Sequence, residues 1–453
     1  MKISFIIPSR NNKKYLEWAY SSIRKNQGNH EVEICVADDF SKDGTKEWCE
    51  EIVKADKQFK WIRNEGPERQ GLVILNDRLI NEVATNDICM IYHADMYLCP
   101  GALDAIEKNM YGKELTEAER GIIFRADALG PKLGFDIVDG KPVPPIKTPT
   151  EHYNEYNVPT HKPNEKTIVS LTRIEPPLHP DGPEKCIWDC GIEPEEFDED
   201  KLLKFVKGEG QVFKFPEGHT TEGIFAPWAF WKKDFQEIGG HDILFAPQSK
   251  EDSDIFNRFH LNGIKFIQTW EGFVYHMTSR GSRFNPLSGG APGKDSPEWV
   301  GTTTRNMREF IRKWGHAVKH DQYLKPIVPP KYDIGFVIKN CNNQLLEALE
   351  PWCNRVYSDQ SDQELYEYGT VEWLKTSFNI HNRVVPINIE PSNGILVKID
   401  GDVFRQEDFR NIQILAEIIQ DSGEVGEFEL GNLKITINNL TTYEKKLICN
   451  ITS

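Results

Sequence analysis

The chain has 453 residues, 39% of them hydrophobic, and a formal net charge of -16. That length suits two or three domains with sizeable cores. The acid excess and the lack of a long basic block exclude nucleic-acid backbone binding as the main task, because neutralising phosphates needs clustered Lys and Arg.

Only a short apolar stretch precedes Pro8, too little for the apolar region of a signal peptide. No run approaches the roughly 20 apolar residues of a spanning helix. The nine cysteines are scattered. Cys186 and Cys190 are the closest pair, and no second pair completes a zinc site. Reduced thiols and a cytoplasmic location are the expectation.

The first 110 residues alternate strand and helix signals. Ile3 to Ile7 is an almost wholly apolar run, as a buried parallel strand requires. Leu16, Ala19, Tyr20 and Ile23 then share one helical face. Val32 to Ala37 is a second strand, and Asp43 can cap a helix whose inner face carries Trp48 and Ile52. Trp61-Ile62 is a short third strand, Leu72 to Val83 a helix, and Ile88 to Tyr92 the fourth strand. Alternation at this spacing predicts a Rossmann-type, mostly parallel α/β sheet with helices on both faces. Ligands of such sheets bind beyond the carboxyl ends of the strands. Those ends carry Pro8-Ser9-Arg10, Asp38-Asp39 and His93-Ala94-Asp95.

Residues 112–222 are rich in Pro, Gly and charge, and are expected to form an insertion. Phe135, Tyr153, Tyr156, Trp188 and Phe197 favour an ordered one near the active site. Periodic structure resumes at Ile224, with strand, helix and strand signals through residue 284. KPIVPPK is a linker candidate. Residues 331–453 then form a smaller α/β unit. The expected domains are 1–325, comprising 1–110, 112–222 and 223–325, and 331–453. No internal repeat is evident.

Three clusters carry chemistry. Asp38-Asp39 sits between a strand and a turn, where carboxylates can accept hydrogen bonds from a base or a ribose. Glu251-Asp252-Ser253-Asp254 opens a helix, where acids also interact well with the helix dipole. His276 follows the apolar run 272–275.

In this order the clusters resemble family 2 glycosyltransferases of the GT-A fold. SFIIPSRNN, ICVADDFSKDGT, NDICMIYHADMYLCPGAL and the stretch from IGGHDILFAPQSKEDSDIF to VYHMTSRGS carry the resemblance. It covers residues 3–110 and 224–284. It implies that Pro8, Ser9 and Arg10 line a base pocket, that Asp39 contacts the base, and that Asp38 lies toward the ribose. Asn76, His93 and Ala94 join the nucleotide-sugar site. Asp95 and His276 would ligate Mn2+ or Mg2+ at the diphosphate, and Asp252 would be the general base. A metal that neutralises leaving-group charge and a carboxylate that takes the acceptor proton suit direct, inverting transfer. A carboxylate–imidazole ligand set suits Mn2+ somewhat better than Mg2+.

The chain departs from the family pattern at His93, where Asp is usual, and at Arg10, where an aromatic residue is common. Arg69, Arg78, Arg280 and Arg283 are further phosphate-contact candidates. Trp228 and Trp231, with Glu251, are acceptor-site candidates, against a plain core role for the tryptophans. The expected partners are a nucleotide-sugar donor, probed first as a UDP-sugar, and a glycan or glycoconjugate acceptor. Peripheral membrane association and oligomerisation through residues 331–453 complete the partner expectations, although no basic amphipathic helix supports the former. Asp400-Gly401-Asp402 is expected to be a turn. Two other readings compete: an inactive glycan-binding module, favoured by His93, and a nucleotidyltransferase, disfavoured because SRNNKK has no glycine.

Overall fold

The computed structural model describes residues 1–114, 136–138, 141–143, 161–208, 214–215, 218–280 and 283–449. Phe135, Tyr153 and Tyr156 lie outside them.

The expected alternation is present. β1 (Lys2–Ser9), α1 (Lys13–Asn26), β2 (Glu31–Asp39), α2 (Thr45–Ala55), β3 (Phe59–Asn64), α3 (Gly71–Arg78) and β4 (Ile88–Ile91) follow in order. After β4 come β5 (Met96–Leu98) and α4 (Ala102–Met110). Alternating residues of β1 explain the two layers. Ile3, Phe5 and Ile7 pack with Leu16 and Ile23 of α1, Trp48 of α2 and Ile106 of α4. Ile6 points the other way, into a cluster with Leu75 of α3. Asp43 does not cap α2 directly; Gly44 holds that place, and Asp43 accepts from the Lys13 and Thr45 amides.

One boundary needs correction. The 112–222 stretch is not wholly an insertion, because β6 (Thr167–Glu175) lies inside it and is buried along its full length. β7 (Lys185–Ile187), β8 (Thr220–Thr221), β9 (Trp228–Trp231), α5 (Glu251–Leu261), β10 (Lys265–His276) and α6 (Pro297–Trp314) follow. The main path of the large sheet runs β8-β10-β6-β9-β4-β1-β2-β3, with β7 beside β6 and β5 beside β10. The β1, β2, β3 and β4 contacts are parallel, while β9 is antiparallel to both β4 and β6. β6 mixes Thr, Ser, Arg and Glu with apolar residues, so its sequence does not read as a core strand. Pairing on both edges is what buries it.

The second sheet uses β11 (Ile334–Lys339), β12 (Arg355–Ser358), β13 (Val384–Pro386), β14 (Ile395–Asp400), β15 (Gly426–Leu430) and β16 (Leu433–Ile437). Its order is β13-β12-β11-β14-β16-β15. Helices α7 (Asn343–Leu349), α8 (Asp362–Trp373), α9 (Gln406–Gln413) and α10 (Leu415–Ser422) accompany it. This unit meets α6 through buried charges. Arg312 of α6 pairs with Glu309, Glu350 and Glu372, and Arg383 also pairs with Glu350. No helix among the described residues is long and apolar enough to cross a membrane.

Candidate functional site

Above the carboxyl ends of β1, β2 and β4 lies a cavity of about 600 Å³. Pro8, Ser9, Arg10, Asp39, Asn76, His93, Ala94, Asp95, Glu251, Asp252 and His276 all line it. Segments far apart in the chain therefore converge where a parallel sheet offers its ligand crevice.

The two acids of β2 part company. Asp39 faces the cavity and accepts hydrogen bonds from Asn64 Nδ2 at 2.8 Å and the Gln70 and Gly71 amides at 3.0 and 2.9 Å. Asp38 is turned away, ion-paired with Arg63 and accepting from the Ser41 amide. It does not line the cavity, so its placement toward a ribose is corrected. Successive strand residues point to opposite faces, which here sends Asp38 away from Asp39.

His93, Asp95 and His276 form a compact group whose potential ligand atoms lie within 4.8 Å of one another. Their positions follow from strand pairing: His276 ends β10, directly opposite Met96 of β5. Asp95 Oδ2 accepts from the Arg280 amide at 2.7 Å, and Oδ1 lies 3.4 Å from His276 Nε2. On its other side, His276 Nδ1 contacts Glu175 Oε1 at 2.7 Å. Burial alone would lower the His276 pKa, but Asp95 and Glu175 outweigh it and raise it to about 9. Burial likewise opposes the charge on Asp95, yet His276 and His93 hold its carboxyl below the ordinary range. At His93 burial, with the charges of His276 and Arg173, outweighs Asp95 and Asp252 and takes the pKa down to about 4.

The group fits a divalent cation. His276 Nε2 is buried without a hydrogen-bond partner and faces Asp95, a place that either a proton or a metal can fill. Two imidazoles and one carboxylate suit first-row transition ions better than Mg2+. Glu175 supplies the outer contact that metal-bound histidines usually make. It is itself held by Lys185 at 2.8 Å and Arg173 at 3.2 Å.

Asp252 sits in the first turn of α5 and accepts from the Ser253 amide. Glu251 Oε2 is buried without a partner, and burial, followed by the charge of Asp252, raises its pKa to about 8. The turn before α5 is strained: Ser249 and Lys250 have φ of 78° and 71°. Asn306 of α6 holds it, with Nδ2 2.8–2.9 Å from the carbonyls of Phe245, Gln248 and Ser249.

Several other candidates resolve. Trp228 touches the cavity but packs against Phe230, Phe256 and Phe259. Trp231 is core, its indole donating to the Asn164 carbonyl, and does not line the cavity, which corrects its acceptor role. Arg280 is not a phosphate contact here; its guanidinium binds the Ile192 carbonyl and pairs with Glu193. Arg78 faces Glu82 and Gln70. Arg69 and Arg283 do line the cavity, paired with Glu298 and Asp295. Arg173, Glu175, Lys185, Gln248 and Asn257 line it as well and were not legible in sequence. The first three come from β6 and β7, which carry no recognisable motif.

The family described as Glycosyl transferase family 2 matches residues 4–113. Abequosyltransferase RfbV of Salmonella typhimurium is 33% identical over 113 residues, which are 24% of this chain and 32% of that protein. The chain thus spans about a third of the length of this curated relative. The family resemblance read from the motifs is borne out over that N-terminal segment. Among solved structures, a GalNAc-T7 complex with UDP, GalNAc and Mn2+ has 14% identity and a TM-score of 0.40, covering 71% of this chain and 49% of the other. The mannosyltransferase PcManGT of Pyrobaculum calidifontis, with GDP-Man and Mn2+, has 14% identity and a TM-score of 0.38, covering 72% and 67%.

Proposed function

We propose that this chain, whose residues 4–113 match glycosyl transferase family 2, transfers a sugar from a nucleoside-diphosphate donor to a hydroxyl of a glycan or glycoconjugate. The observation that carries the reading is the convergence of Asp39, the His93–Asp95–His276 group and Asp252 on one cavity. UDP is the first donor nucleotide to test.

In this reading Asp39 and the backbone of Pro8, Ser9 and Arg10 bind and orient the nucleoside. His93, Asp95 and His276 hold a divalent cation, Mn2+ by preference. Bound there, the cation supplies neutralisation of charge developing on the diphosphate leaving group. Asp252 accepts the proton of the attacking hydroxyl, and a single base with direct displacement inverts the anomeric carbon. Glu251 keeps its proton at neutral pH and can donate a hydrogen bond to a sugar hydroxyl. As a ligand where a second acid is absent, His93 weighs against an inactive module.

Asp252→Asn tests the reading. Transfer, measured as nucleoside diphosphate released from a nucleotide-sugar panel with Mn2+, should fall by about 10²–10⁴. Donor binding by calorimetry should stay nearly unchanged. Full activity in this variant removes Asp252 as the base. Pyrophosphate release from a sugar phosphate and a nucleoside triphosphate points instead to nucleotidyl transfer.

A further inference from the structure

The second sheet repeats the first. The large sheet contains the run β3-β2-β1-β4-β9-β6, and the small sheet is β13-β12-β11-β14-β16-β15. Strand directions agree at every step: three parallel contacts, then two antiparallel ones. In both, the fifth strand of the run follows the sixth in the chain.

The two central parallel ladders can be laid one on the other. Ser4, Phe5 and Ile6 pair with Cys89, Met90 and Ile91. Gly335, Phe336 and Val337 pair with Leu396, Val397 and Lys398. Shifts of 331 and 307 residue numbers convert one ladder into the other. The same shifts match Ile3, Phe5, Ile7, Asn11 and Asn12 with Ile334, Phe336, Ile338, Asn342 and Asn343, identical residues at each place. They also set His93-Ala94-Asp95 against Asp400-Gly401-Asp402. Identities this sparse are invisible until strand pairing aligns them.

At the matching strand ends of the small sheet the loops are in contact. Asn340 stands where cavity-lining Ser9 stands, and its Nδ2 donates to Asp400 at 2.8 Å. A side chain at Gly401 would come within 2.2 Å of the Asn340 carbonyl oxygen, so the two loops are in contact. The β11/β12 register puts Ser361 where Asp39 sits, and Ser361 caps α8 instead. Between β13 and β14 no helix replaces α3. Asp400 Oδ1 also accepts from the Asp402 amide.

We propose that residues 331–449 are a second copy of the donor-binding fold, closed from within, in which Asp400-Gly401-Asp402 ties the β11–α7 loop to β14 and holds no cation or nucleotide. The repeat stands on the shared strand order and directions; the word donor rests on the proposed function. Mn2+ titrated into the Asp95→Asn chain, followed by electron paramagnetic resonance, reads uptake outside the His93–Asp95–His276 group, of which only the part lost with Asp400 and Asp402 belongs to the second copy. Uptake should be weak and unchanged when Asp400→Asn and Asp402→Asn are added. Bound Mn2+ that disappears with those two changes overturns closure. UDP titrated into the wild-type chain should bind once and fail in Asp95→Asn. A second UDP abolished by Asp400→Asn and Asp402→Asn also overturns closure, whereas no UDP binding at all counts against UDP as donor nucleotide and leaves the Mn2+ arm decisive. A crystal structure in which the small sheet has a different strand order or different strand directions overturns the repeat itself.

Discussion

Glu175→Gln removes one negative charge from beside His276 while keeping the side chain's shape. In the native protein Oε1 meets His276 Nδ1 at 2.7 Å and Oε2 meets Lys185 Nζ at 2.8 Å. A carboxylate accepts on both sides, whereas an amide has one oxygen and an NH2 that donates. If the glutamine oxygen keeps His276, its NH2 opposes the Lys185 ammonium; turned round, its NH2 opposes the imidazole N–H. Arg173 and Lys185 also lose a counter-charge, so positive charge rises next to the cation position. Loss of an outer-sphere partner of a metal-bound histidine costs about 10–100-fold in affinity. That corresponds to about 1.4–2.8 kcal/mol at one decade per 1.4 kcal/mol. Mn2+ titration by electron paramagnetic resonance reads the loss, with Asp95→Asn as the non-binding control and a thermal melt to establish folding. Lys185→Met disturbs the same buried cluster but leaves the His276 contact, and should keep affinity within about threefold. A folded Glu175→Gln chain that binds Mn2+ as tightly as wild type would refute the positioning role.

Three more outcomes follow from the same geometry. Arg312→Met strips a partner from Glu309, Glu350 and Glu372 in the buried junction with α6, and should destabilise the chain by about 3–5 kcal/mol in urea unfolding. A shift below about 1 kcal/mol counts against that cluster holding the two units. Glu251 is raised in the folded chain from 4.5 to about 8, so the folded state binds an extra proton between those values. Stability should therefore fall as pH rises from about 4.5 to 8, and Glu251→Gln should flatten this slope in pH-dependent melts. His93→Asp restores a second acid and should retain metal-dependent turnover within about tenfold, whereas Asp95→Asn should lose Mn2+ binding. Loss of both binding and turnover in His93→Asp would make the imidazole indispensable.

Much of the site was written locally. Apolar runs of four or five residues predict β1, β2 and β4, and the residues just past them are bound to reach the crevice of a parallel sheet. Hence Pro8 to Arg10, Asp39, Asp95, Asp252 and His276 are found lining one cavity. Strand alternation separates Asp38 from Asp39, although the sequence reading places both at the nucleoside.

What sequence alone determined is therefore which residues stand at strand ends, since that depends on short-range hydrophobic pattern and turn chemistry. Tertiary structure decided who meets whom. Glu175 reaches His276 only because β6 lies beside β10, about a hundred residues away in sequence. Trp231 became core because β9 pairs with β4. The proposed second copy rests on a strand order shared by two sheets far apart in the chain. Pairing across a sheet is a non-local choice, fixed by the backbone hydrogen bonds of whole strands and by the burial of both faces. A weakly patterned stretch such as TIVSLTRIE acquires its role only from the strands on either side.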